Sequence, residues 1–565
     1  MKKNLYITLT LAGLLSLFAS CNSMLNEEAQ AILVPDFFNS AQGLEGELIG
    51  AYSGLRSLYG VGGNVGTDAF YTSDVVLGWE KSVDTYDNLL DPANSGISNP
   101  WGSAFAYINN CNGVIQNSPD ADMPDKARII AEAKFIRAQF YFALVQSYGG
   151  APLDLGAGRL AYNNKPSTLS ERNSVAEVYD VIIQDLTDAA RDLPVKPSQT
   201  GRGSKKAALH FLAKAYLTRA TSEAAKPDDY ADAFRYASEL TDNAGQYNAG
   251  LQQDFALVHL EGHEDDAEVL FNVQHTHDYV FSNGHSSNYV FTAGYENIRV
   301  AGVAPVPRSL RYQRPWRMYV TTPWLIFRAF ADKTNDARWD GTFRMMWECG
   351  VSTLEGDGLK LGDPAILLYF DGDDLSAYPE ACVKYKVEEL FDEQGFYKHS
   401  FVQYMYPNLV KFDDTKRLAL NDASYRPFIV ARLAETYLIA AEALIMQDRK
   451  TEALPYINAV RQRAAYRPGL SPAELAAARA AMEIKDAAAL SIDFILDERA
   501  RELCAEIPRW NDLVRTGKLI ERVRAHNPQG APNIKAHHIL RPIPQSQLDL
   551  MSDPAQKAAY QNPGY

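Results

Sequence analysis

A mainly α-helical scaffold of antiparallel helix pairs, broken by one large loop-rich block with short strands, is the fold class this sequence predicts. Three observations carry that reading. Apolar residues recur at spacings of three and four through much of residues 40–250 and again through 422–565. Alanines alternate with large residues in those segments, the texture that lets helices interdigitate closely. Between them, over 251–421, the helical period fades and glycine, proline and aromatic residues dominate.

The chain divides accordingly into 1–20, 21–39, 40–250, 251–421 and 422–565. Lys2 and Lys3 precede an apolar run over 5–18 that is too short to span a bilayer comfortably and has the flanks of a signal peptide. Its end, Phe18-Ala19-Ser20-Cys21, resembles a bacterial lipoprotein signal, cleaved before Cys21 so that this cysteine takes the palmitoyl anchor. Phe18 stands where leucine is usual, and plain secretion with cleavage after an A-x-A-like site is the alternative. Residues 21–39 read as a tether.

At 565 residues, 46% hydrophobic and 22% charged, the composition is that of a globular protein and excludes wholesale disorder. Its 70 acidic and 55 basic residues leave a net charge of −15, and removal of Lys2 and Lys3 with the signal makes it −17. Such a balance excludes nucleic acid as a partner and makes membrane attachment covalent instead of electrostatic. Cys111, Cys349, Cys382 and Cys504 match no motif and read as single buried thiols, although four cysteines allow three pairings in an exported chain.

In order along the chain, 42–59 reads as a first helix, 60–99 as ordered loop holding Tyr71, Trp79 and Tyr86, and 101–116 as a second helix. Asp122, Pro124 and Asp125 announce a third helix. Ile129, Ala133, Ile136, Phe140 and Leu144 form one stripe on it; Phe135, Phe142 and Val145 form another. A helix apolar on two faces needs covering on two. Gly149-Gly150 and Pro152 end it. Helices follow over 175–193, 205–220 and 229–242. Gly201-Arg202-Gly203-Ser204 lacks the spacing and the preceding strand of a phosphate loop, and Ser204 reads as an N-cap.

In the middle block, 268–274 alternates like a strand, 284–302 is a loop with Tyr289, Phe291 and Tyr295, and 308–347 carries Trp316, Trp324, Trp339 and Trp347, four of the seven tryptophans. So long a loop-rich insertion in a compact protein points to function. Helices return over 426–446 and 451–465. Their alternation of small and large residues resembles tetratricopeptide repeats. About four such pairs are expected, from 101–148, 175–220, 229–242 with an unassigned partner, and 426–465.

Several stretches resemble the SusD/RagB family. They are Glu-Ala-Lys-Phe-Ile-Arg-Ala at 132–138, Tyr141-Phe142, Tyr-Gly-Gly-Ala-Pro-Leu at 148–153 and Arg-Leu-Ala-Glu-Thr-Tyr-Leu-Ile-Ala-Ala-Glu-Ala at 432–443. Asn-Ala-Val-Arg at 458–461, Glu-Arg-Ala-Arg-Glu-Leu at 498–503, Arg-Trp-Asn-Asp-Leu-Val-Arg at 509–515, Pro542-Ile543-Pro544 and Gln-Asn-Pro-Gly-Tyr at 561–565 follow in family order. The resemblance implies a surface lipoprotein on the outer face of the outer membrane. It would capture nutrient oligosaccharide beside a SusC-like TonB-dependent transporter, without a cofactor and without making or breaking bonds. An oligopeptide ligand within the same family, and a surface glycosidase, are the alternatives.

For catalysis, Glu498, Glu502 and Glu506 lie four apart near Arg499, Arg501 and Arg509, a pattern read as an ion-pair network because arginines hold acids ionised. No G-x-S-x-G or H-E-x-x-H occurs. His275 and His277, with His263 and His285 nearby, lack an identifiable third ligand, so no metal is assigned. Asp371-Gly372-Asp373-Asp374 reads as a turn rather than a calcium loop. Sugar binding needs aromatic faces beside hydrogen-bonding side chains. Two stretches offer both: 74–88, with Trp79, Lys81, Tyr86 and Asn88, and 289–317, with Tyr295, Asn297, Arg314 and Trp316. The candidate ligand residues are Trp79, Tyr86, Asn88, Tyr295, Arg314 and Trp316.

Overall fold

A computed structural model describes residues 40–60, 73–78, 82–119, 123–156, 171–278, 284–398 and 405–565, with backbone alone for 82, 83 and 95–99. The expected signal peptide, Cys21 and the tether lie outside the described residues.

The protein is mostly helical, and its helices stack side by side in chain order. Helices α1 (Ala41–Gly54), α2 (Ser95–Asn117), α3 (Lys126–Tyr148), α4 (Val175–Asp192), α5 (Lys205–Arg219) and α6 (Asp229–Asp242) each pack on the next. The stack then jumps the middle block: α6 packs on α7 (Leu433–Met446), α7 on α8 (Lys450–Ala464), and α8 on α9 (Pro472–Met482). Helix α7 is therefore the partner that the sequence left unassigned for 229–242. Small residues make the junction possible, with Ala213, Ala233, Ala237, Ala440 and Ala443 fully buried around Leu217 and Ile439. The result is the expected tetratricopeptide-like scaffold.

Local chemistry explains the helix ends. Ser174 and Glu177 form a reciprocal capping box on α4, and Ser204 caps α5 by accepting from the Ala207 amide at 3.4 Å. The start of α3 differs from expectation. Asp125 sits at φ 61° and its side chain caps nothing, so the helix begins after it. Its other end is as expected: Gly149 takes φ 77°, and a Cβ on Gly150 would lie 2.3 Å from the Asn173 carbonyl oxygen. Burial on α3 extends past its two apolar stripes to the polar residues between them. Arg137 grips Asp185 with two bonds of 2.8 and 2.9 Å and donates to Asn112 at 2.7 Å. Glu132 accepts from the Tyr52 hydroxyl at 2.6 Å.

Short ladders tie the middle block to this scaffold. Strand β1 (Val76–Gly78) pairs antiparallel with β3 (Tyr319–Thr321), and β2 (Val269–Val273) with β9 (Phe428–Arg432). Strands β4 (Phe343–Arg344) and β8 (Asn408–Leu409) form a third pair; β5 (Met346–Glu348), β6 (Pro364–Tyr369) and β7 (Val383–Lys386) form a three-stranded sheet. Two expectations change. Residues 428–432, read as the start of a helix, are a strand, because Phe428, Ile429 and Val430 favour the ladder with β2. And β2 is buried at every position instead of on one face, so both its sides are covered.

After α9 come α10 (Ile492–Glu502), α11 (Arg509–Arg515) and α12 (Leu519–His526). Glu498, Glu502 and Glu506 do lie in a buried ion-pair network, but most of their partners come from far away. Glu498 pairs with Arg338 (2.7 Å), Arg461 (2.7 Å) and Arg501 (2.6 Å); Glu502 with Arg338 (3.0 Å), Arg432 and Arg463; Glu506 with Arg432 (2.6 Å) and Lys411. Arg499 instead serves Glu435 and Asp512, and Arg509 serves Asp74. The tail returns to α3. Asn562 donates to the carbonyls of Tyr148 (3.0 Å) and Arg541 (2.7 Å), and Arg172 joins the carbonyls of Tyr148 (2.6 Å), Gly150 (2.8 Å) and Tyr560 (2.8 Å). Cys111, Cys349, Cys382 and Cys504 are free, buried thiols.

Candidate ligand-binding site

The β1–β3 ladder joins the first marked stretch, 74–88, to the residues just after the second, 289–317. Gly78 lies opposite Tyr319, Leu77 opposite Val320 and Val76 opposite Thr321. Trp79 and Lys81 lie outside the described residues, and Gly78 is the last described residue before them.

On the β3 side, Arg314 and Trp316 occupy a loop bracketed by two left-handed residues, Gln313 at φ 63° and Arg317 at φ 55°. Backbone bonds fix this loop to the preceding one: the amides of Trp316, Arg317 and Met318 donate to the carbonyls of Tyr289 (3.3 Å), Thr292 (3.2 Å) and Val290 (2.9 Å). The Trp316 ring lies 5.0 Å from the Tyr289 ring at 55°. The Arg314 guanidinium sits 5.4 Å from the Tyr289 ring centre and 5.0 Å from that of Trp316. Tyr289 is held by a 2.6 Å bond between its hydroxyl and that of Ser286. Arg314 and Trp316 are half-buried, so the cluster meets solvent from a rigid base.

The remaining candidates fall elsewhere. Tyr295 is 0% exposed. Its ring stacks on Trp347 and its hydroxyl donates to the Gln313 carbonyl at 2.6 Å, so it props the Arg314 loop from inside and offers no face to a sugar. Tyr86 is 3% exposed, with His538 at 5.2 Å between ring centres and the Arg541 guanidinium over its ring. Burial pushes its phenol up to about 12 against the pull of Arg541. Asn88 is exposed on the same turn. This turn packs on the C-terminal segment, through Asn533 to the Thr85 carbonyl, and shares no described contact with Arg314 or Trp316.

A cleft of about 690 Å³ opens past the other end of the ribbon, lined by Trp324, Phe327, Arg328, Asp392, Gln394 and His526 among others. Its tryptophan already carries His526 at 4.9 Å, near parallel, and the Arg522 guanidinium at 4.6 Å.

Among the described residues no group of three or more His, Cys, Asp or Glu could hold a metal. His275 and His285 face each other at 5.0 Å, while His277 packs on Tyr425. Burial, His285 and Arg56 push His275 down to about 2; burial also lowers His285, to about 4. Asp371 pairs with Lys386, and Asp373 and Asp374 accept from backbone amides of their own turn. Burial alone would raise the Glu502 carboxyl, but Arg463, Arg432 and Arg338 hold it at about 2. A glycosidase acid needs the opposite shift.

Two features escaped the list of candidates. Tyr289 is one; the sequence marks it only as the first residue of the stretch 289–317 and as part of an aromatic loop. The other is charge: Arg299, Arg308, Arg311, Arg314 and Arg317 fall within 299–317, a segment without a single acid, in a chain of net charge −15.

The fold is a helical-repeat scaffold that carries a loop-borne aromatic cluster. The model of the SusD family matches residues 394–565, and that described as "Starch-binding associating with outer membrane" matches 37–217. The chain belongs to the SusD/RagB family. SusD-like protein P2 of Formosa agariphila is 25% identical over 579 residues, covering 99% of each chain. A SusD homologue from Bacteroides thetaiotaomicron superimposes with a TM-score of 0.68 at 21% identity, over 94% of this chain and 99% of that one. A laminarin-binding SusD-like protein superimposes at 0.61 and 22% identity, over 92% and 99%.

Proposed function

We propose that this protein captures oligosaccharides at the outer face of the outer membrane, anchored through a lipid on Cys21, and delivers them to a SusC-like TonB-dependent transporter. The single observation that carries the binding reading is the Trp316 ring with Arg314 beside it, both half-buried and backed by the buried Tyr289 ring, on loops fixed by backbone bonds. Flat aromatic faces take the C–H faces of sugars, and a neighbouring donor takes their oxygens. The laminarin-binding neighbour supports a glycan over a peptide. In this reading the middle block 251–421, with the stretch 74–88 that carries Trp79, presents the ligand, and the helices serve as scaffold. Trp79 and Asn88 stay as candidate contacts; Tyr86 and Tyr295 do not, because their rings are buried.

The test is calorimetry of the full-length protein in detergent against a panel of oligosaccharides and oligopeptides, with reducing-end release followed in parallel. Saturable glycan binding without release is the expected result. Peptide binding alone would move the ligand class, and turnover would overturn the reading.

A further inference from the structure

We infer that the oligosaccharide taken at this site carries acidic groups, uronic-acid carboxylates or sulfates, and that Arg314 is the residue that selects them. The inference rests on the binding site proposed above. Its starting point is how guanidinium groups are used around that site. Arg308 is committed to Glu296 through bonds of 2.6 and 2.8 Å and also reaches Asn421. Arg311 is paired with Glu348, Arg344 with Asp413, and Arg299 donates to the carbonyls of Glu296 and Ile298. Arg417 is spent on the carbonyls of Asp414, Leu420, Asp422 and Leu310. Arg314 differs. Its described contacts are the rings of Tyr289 and Trp316, and no described carboxylate or carbonyl takes its N–H donors.

The amides of the same loops point the other way. Neutral sugars are held mainly through Asn, Gln and Asp side chains, but Asn288 is 2% exposed and Gln313 0%, and they bond to each other at 3.3 Å. Gln313 also gives its amide to the Leu310 carbonyl. The polar side chain that lies on the Tyr289 and Trp316 rings is a cation, Arg314. A planar guanidinium matches a carboxylate or sulfate with two parallel bonds, and its contact with two rings fixes it before the ligand arrives. The segment that carries Arg314 has five arginines and no acid of its own over 299–317, and the nearby Glu296 and Glu348 are already spent on Arg308 and Arg311.

The experiment compares matched oligosaccharides that differ only in charge, an oligogalacturonate against its methyl ester and a sulfated oligosaccharide against its desulfated form. The proteins are the full-length chain and its Arg314→Gln, Arg314→Lys and Trp316→Ala variants. Wild type should bind the acidic member at least about tenfold more tightly, with the advantage shrinking as salt rises. Arg314→Gln should erase the advantage, Arg314→Lys should retain part of it, and Trp316→Ala should weaken both members. Equal affinity for both members, or an acidic preference that survives Arg314→Gln, would overturn the inference. If Trp316→Ala still weakens binding in that case, the site stands and its charge selectivity falls. If neither member binds and no other glycan does, the functional reading falls with it.

Discussion

Tyr295 and Trp316 belong to one loop system and look alike as aromatic residues beside polar ones, yet they face opposite ways. Sequence could mark both and could not separate them, because the loops lack the period that tells an inward face from an outward one. The structure separates them by one bond: the Tyr295 hydroxyl is fixed on the Gln313 carbonyl inside the protein. Trp316→Ala should therefore weaken glycan binding at least about tenfold by calorimetry and leave Tm unchanged. Tyr295→Phe, which removes that bond, should cost about 0.5–1.5 kcal/mol in denaturant unfolding. Tyr86 was misjudged for the same reason; its turn is coil in sequence, but Gly530, His538 and Arg541 cover it from more than 400 residues away. Arg314 and Trp316 stand out in the sequence because both chemistries sit side by side, and the structure leaves both half-buried.

At the scale of elements, the helices were legible almost to the residue, as with 175–193 and 205–220, because local period and caps specify them. What sequence missed depends on partners. Residues 428–432 carry enough helical pattern to pass as the start of α7, and only β2, some 160 residues earlier, makes them a strand. The partner of α6 was hidden likewise, because the middle block separates two helices that pack as neighbours. One position tests the helix ends. Gly150→Ala would place a methyl 2.3 Å from the Asn173 carbonyl oxygen, so the turn after α3 must shift. A loss of about 1–3 kcal/mol in chemical denaturation is expected.

Across the whole molecule, buried charge makes stability pH-dependent. His275 and His285 are held neutral by burial, at about 2 and about 4. The unfolded chain protonates them near pH 6.5, so it binds more protons than the folded one and stability falls as pH drops below that value. Glu502 and Asp74, held at about 2 by Arg463, Arg432 and Arg338 and by Arg509 and Arg522 against the cost of burial, add a second loss. It begins below pH ~4.5, where the unfolded carboxyls protonate, and runs toward pH ~2. Tm measured against pH should be flat above pH ~6.5 and fall in these two stages; a Tm that rises on acidification would contradict the assignment.

The return of Asn562 and Arg172 to the carbonyls of Tyr148 and Gly150 also sets the order in which the chain can finish folding. A ribosome delivers α1 to α6 first, but α6 waits for α7, β2 waits for β9, and the end of α3 waits for residue 562. Until then the first half has apolar faces without covers and backbone acceptors without donors. Asn562 is then the latch that ties the end of α3 to Arg541 and the second half of the fold.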